Sequence, residues 1–173
     1  MKAIVVYESL WGNTAAVARA VAEGIGPGTR ALSTSEATAD AVAGANLIVA
    51  GSPVIGFSVP SEKMIENIRA NPGSVSSPPD LSQLPMRTWL ESLPQGEGCS
   101  AAFETGIWWS PGGATRAILR ELERVGYRPL AKGKRFIVKG RCGPLRDGEL
   151  ESARQWGKEL VAAFTKATTT PVS

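Results

Sequence analysis

Histidine is absent from the 173-residue chain. That removes the Ser-His-Asp triad, the Cys-His dyad, His-ligated zinc and every imidazole acid–base step. Chemistry on this chain has to come from a bound cofactor, or there is none. Cysteine is scarce: Cys99 and Cys142 lie far apart and form no CxxC pattern, which reads as two separate thiols and not a redox pair. No apolar run approaches the roughly 20 residues of a membrane helix. The chain enters a strand-like run at once, with no signal-peptide h-region, so a cytoplasmic protein is expected.

Charge is modest in sum and uneven in place. The net charge is +3, too weak to argue for nucleic acid. Residues 116–146 hold ten basic residues and two acids, 10 − 2 = +8, which leaves 3 − 8 = −5 for the remainder. The molecule is polarised. Hydrophobic content of 43% and charged content of 20% are those of ordinary globular material. The length favours one domain over residues 1–167, with a surface excursion at 71–97 and a flexible tail at 168–173.

Lys2–Tyr7 is a short apolar, β-branched run. Glu8-Ser9-Leu10-Trp11-Gly12-Asn13-Thr14 follows, and then Val17, Ala20, Val21 and Ile25 recur at helical spacing. Strand, small-residue loop and helix start make an anion site from backbone N–H groups. The loop has no Lys or Arg, so dipoles and hydroxyls would hold the anion. Further strands are expected at Thr29–Leu32, Leu47–Gly51, Cys99–Phe103 and Arg135–Lys139. Helices are expected at 36–43, after a Ser61 cap, at Met86–Leu93, at 113–125, and finally along the stripe Leu150, Ala153, Trp156, Leu160, Val161 and Phe164, with Thr165–Ser173 fraying.

Strands alternating with helices imply a doubly wound α/β fold, with five parallel strands in the order 2-1-3-4-5 and helices on both faces. Ligands of such sheets bind beyond the strand carboxyl ends, where the order reverses. Glu8–Thr14, Ser52–Pro60 and Glu104–Gly113 emerge there. Trp108-Trp109 on a loop is costly unless the rings pack or bind something flat. A phospho-receiver needs Asp at the end of the third strand, where Gly51-Ser52 stands. A Walker loop needs a Lys, and the GxSxG elbow is missing.

Glu8–Thr14 resembles the phosphate loop of the flavodoxin family, Gly51-Ser52-Pro53-Val54-Ile55-Gly56 its second flavin loop, and Phe103–Gly113 its third. Gly143-Pro144-Leu145, Gly148-Glu149-Leu150 and Trp156-Gly157 resemble the closing segment of some flavodoxin-like proteins. The resemblance runs over nearly the whole chain and implies flavin mononucleotide, FMN. It implies Ser9 and Thr14 hydroxyls on the phosphate, joined by N–H groups of Leu10, Trp11, Gly12, Asn13 and Thr14. Pro53, Val54, Ile55 and Gly56 would cover one ring face. Trp108 or Trp109 would stack on the other, with the backbone of Thr105, Gly106 and Ile107 at the pyrimidine oxygens. Trp11 stands where the family carries a hydroxyl residue; it either shields the ligand or packs on the surface. Gly56 either eases a peptide flip beside the flavin or serves a turn between two prolines. Glu8 and Glu104 either repel charge on the reduced ring or are solvated loop acids.

Three functions follow. An FMN electron carrier between redox protein partners needs no acid or base. An FMN-dependent NAD(P)H:quinone-type oxidoreductase needs room for a second, small flat acceptor above the flavin. A flavin-free module would bind protein only.

Overall fold

A strand that is apolar at every position must be covered on both sides. In the computed structural model, which describes residues 1–71 and 78–169, β1 (Ala3–Tyr7) and β3 (Leu47–Pro53) are such strands over Ala3–Val6 and Leu47–Gly51. Alternate residues divide between two cores. Ile4, Val6, Ile48 and Ala50 face one, while Ala3, Val5, Leu47 and Val49 face the other.

The elements run β1, α1 (Asn13–Ile25), β2 (Arg30–Ser33), α2 (Ala39–Val42), β3, α3 (Glu62–Ala70), α4 (Met86–Glu91), β4 (Gly98–Gly106), α5 (Thr115–Arg124), β5 (Tyr127–Pro129), β6 (Lys134–Ile137) and α6 (Glu149–Thr169). All strand pairs are parallel, in the order β2-β1-β3-β4-β5. The fifth place in the sheet is shared. Gly98–Ser100 of β4 pairs with β5, and Phe103–Gly106 pairs with β6. The expected strand at Arg135–Lys139 is thus preceded by a three-residue strand that sequence periodicity is too short to reveal.

The α1/α6 face is tight. Gly157 of α6 lies so close to α1 that a Cβ there would stand 2.4 Å from the Val21 carbonyl oxygen. Phe103, Phe136 and Trp156 pack edge to face beside them, with centroids 6.0–6.3 Å apart. α6 runs on to Thr169, packed as far as Phe164 and exposed beyond it, through the first half of the segment expected to fray; 170–173 lie outside the described residues. The opposite core is closed by α5 and by Trp89 and Leu90 of α4. Ser61 caps α3 as expected, its Oγ accepting the Met64 N–H at 3.3 Å. Within the excursion, 72–77 lie outside the described residues. Among the described residues no helix is long and apolar enough to cross a membrane.

Candidate functional site

β3 and β4 run two and three residues further than their apolar cores suggest, to Pro53 and Gly106. Ser52 pairs with Glu104 and Pro53 with Thr105 in register, and the Val54 N–H bonds the Thr105 carbonyl at 2.9 Å. The expected loops therefore leave the sheet from one shelf. Between them and the α1 start lies a cavity of about 300 Å³, at the lower end of the range for ligand pockets.

One wall is the loop after β1. Leu10, Trp11, Asn13 and Thr14 line it. Gly12 has φ +84°, a turn that L side chains rarely adopt, and it directs the loop into α1. Among the described residues the backbone N–H groups of Leu10–Thr14 have no protein acceptor. The Trp11 indole Nε1 is buried and equally without one. A buried donor left unpaired costs about 1–3 kcal/mol, so this wall suits a ligand rich in acceptors. The Thr14 and Thr105 hydroxyls share one hydrogen bond of 2.8 Å, which leaves one proton of the two to give. Ser9 is placed differently. Its Oγ accepts the Ala15 N–H at 3.1 Å, inside α1, and it does not line the cavity.

The second wall is Pro53, Val54, Ile55 and Gly56. Ile55 and Ser58 exchange backbone hydrogen bonds of 3.1 and 3.4 Å around Gly56 and Phe57, whose φ angles are +57° and +72°. Both central residues are left-handed, the pattern of a type I′ turn. The turn reading of Gly56 describes its place here.

Thr105, Gly106 and Ile107 form the third wall, with Ser110 beyond them. Trp108 and Trp109 stand outside it, 73% and 64% exposed. Glu8 and Glu104 are not solvated. Both are buried and both serve structure. Glu104 accepts the Ala114 and Thr115 N–H groups at 2.6 and 3.0 Å at the start of α5, and pairs with Arg135 Nε at 2.7 Å. Glu8 accepts the Met86 N–H at 3.1 Å. Burial pushes its carboxyl up to about 7, against the opposing pull of the Met86 and Ser52 hydrogen bonds.

Three contributors escaped sequence reasoning. Arg135 holds the third loop, donating to the Ser110 and Gly112 carbonyls at 2.7 and 2.6 Å. Gln83, in the excursion, clamps the first loop. Its side-chain amide exchanges hydrogen bonds of 3.1 and 3.0 Å with the Ser9 backbone, and the Asp80 N–H bonds the Leu10 carbonyl at 2.7 Å. Arg141 lines the cavity from the tip of a hairpin closed by the Val138–Leu145 bridge and pinned by Asn13 Nδ2 on the Cys142 carbonyl. The anion loop lacks a cation in sequence, but one stands beside it in space. Only the basic excess of 116–146 hinted at it.

The chain is an open doubly wound α/β protein, and its crevice lies at the β1/β3 switch point, the place where sheets of this kind bind ligands. No family model matches the chain, and no curated protein matches it by sequence. Solved structures do match. A flavodoxin from the domain Archaea superposes with a TM-score of 0.64 at 23% identity, over 95% of this chain and 99% of that one. Oxidised Flavodoxin 1 from Bacillus cereus gives 0.62 at 18%, over 96% and 98%. A flavodoxin, WrbA-like protein from Agrobacterium tumefaciens gives 0.57 at 18%, over 95% and 98%. The fold of this chain is flavodoxin-like.

Proposed function

We propose that the chain binds FMN and carries electrons between redox partners. The carrying observation is the first wall, where the five backbone N–H groups of Leu10–Thr14 and the buried Trp11 indole N–H lack protein acceptors among the described residues. A phosphate ester with its ribityl chain supplies acceptors for such a set. FMN, when bound, supplies one- and two-electron chemistry. The chain's own residues bind and orient. Leu10–Thr14 and the Thr14 hydroxyl hold the phosphate end. Trp11 restores with an indole N–H the hydrogen bond lost with the missing hydroxyl, and Arg141 adds positive charge at the rim. Val54 and Ile55 exclude water from one side of the ring, and the backbone of Thr105–Ile107 meets its polar edge.

Electron carriage is favoured over turnover of a second substrate by the third loop. Trp108 and Trp109 face solvent and do not roof a further pocket. The test is the visible spectrum of the purified protein, then FMN titration of the wild type and Thr14→Val. A yellow protein, or one that becomes so with FMN, and at least about tenfold weaker binding by the variant are expected. A protein that stays colourless sinks the flavin reading. Unchanged affinity in the variant sinks the phosphate assignment.

A further inference from the structure

Beyond Glu8 and Glu104, both buried, the segments that frame the cavity mouth contain no acid. Residues 9–14, 53–61, 105–116 and 138–146 together hold Arg116, Lys139, Arg141 and Arg146, 4 − 0 = +4, which leaves 3 − 4 = −1 for everything else. Lys139 and Arg146 are paired with Asp147 and Glu149. Arg116 and Arg141 are exposed, with no partner among the described residues. Glu104, which lines a depression together with Phe57 and Arg116, is buried and already taken by Arg135.

The same mouth presents three large apolar side chains to water. Phe57, Trp108 and Trp109 are 62–73% exposed. Phe57 is held there at φ +72°, a conformation that a bulky residue adopts at a cost. Its carbonyl accepts the Gly113 N–H at 3.0 Å, tying the second loop to the third, and Phe57 and Arg116 line one depression beside that tie. Exposed aromatic anchors with unpaired arginines on neighbouring segments have the composition of a protein-binding hot spot, in which the charges steer the encounter and the rings hold it.

We propose that this mouth is a docking surface for an acidic protein, whose carboxylates meet Arg116 and Arg141 while its apolar centre covers Phe57, Trp108 and Trp109. The proposal deepens the electron-carrier reading and names the chemistry of the partner in it. Docking is measured without flavin chemistry, so the two can fail separately.

Indole N–H resonances of the five tryptophans are recorded in FMN-saturated and untreated protein. The probes are an acidic plant-type ferredoxin, basic cytochrome c and a short DNA duplex. Ferredoxin should shift Trp108 and Trp109 but not the buried Trp89 and Trp156, with affinity about tenfold weaker at 0.2 M salt than at low salt. Arg116→Glu should weaken it at least about fivefold at low salt and flatten the salt dependence. Trp108→Ser should weaken it with the salt dependence kept. No shift with ferredoxin, equal binding of cytochrome c, or DNA shifting the same two resonances as strongly would overturn the proposal. Ferredoxin docking on a protein that takes up no FMN supports the surface while removing the carrier function.

Discussion

Glu8 and Glu104 occupy matching places at the carboxyl ends of β1 and β4. Both are buried, and both accept N–H groups at the start of a helix. They differ in company. Glu104 has a guanidinium at 2.7 Å that also spans the third loop, so one ion pair orders α5 and the Trp108-Trp109 loop together. Glu8 has no cation in contact. Arg87 acts only at longer range, and burial is the largest influence on its carboxyl. Two carboxylates in similar positions thus do different work. One is paired with Arg135 and anchors a loop, and the other is pushed up to about 7 by burial beside the loop after β1.

The largest effect should come from breaking the paired member. Arg135→Met leaves Glu104 buried and uncompensated and should lower unfolding stability by about 3–5 kcal/mol in urea melts. Adding Glu104→Gln should restore part of it. A variant as stable as wild type would make the pair dispensable.

The unpaired member should show in a pH series. The unfolded chain releases the Glu8 proton near 4.5, whereas the folded protein keeps it to about 7. The folded state therefore binds more protons across that window, and stability falls as pH rises through it, by up to roughly 3 kcal/mol, and levels off above. Glu8→Gln should flatten this part of the profile. The same slope in variant and wild type would assign the titration elsewhere.

A smaller effect separates the β1 end from the β4 end by ligand. Trp11→Phe keeps an aromatic ring, though a smaller one, and removes the unpaired N–H. Stability should hold or rise slightly, while FMN affinity drops about tenfold in a fluorescence titration. An unchanged affinity would leave the indole without a ligand partner. Gln83→Ala should have the least effect, about 1 kcal/mol, seen as faster amide exchange in residues 9–11.

The fold was legible where burial is two-sided. Ile4–Val6 and Leu47–Ala50 are continuously apolar because helices cover both sheet faces, and that pattern survives without any long-range knowledge. The three loops that line the cavity were legible for the same reason, since they follow strands of that sheet. What escaped depends on register between distant segments. Glu104 meets Arg135 because β4 and β6 align them directly. Gln83 reaches Ser9 across 74 residues of separation. Nothing local marks either pair, and a surface acid with a surface base is the default reading of such residues. The place of Trp108 and Trp109 rests on loop conformation, which local sequence does not specify; both are exposed and neither lines the cavity.

The divided edge of the sheet has a bearing on solubility. β5 and β6 offer three and four residues at different heights, with Gly133 and its neighbours turning between them. A single long edge strand would display an unbroken row of donors and acceptors on which another chain could polymerise. Interrupted in this way, the margin of the sheet gives an incoming strand no continuous ladder, and self-association there stops before it can propagate.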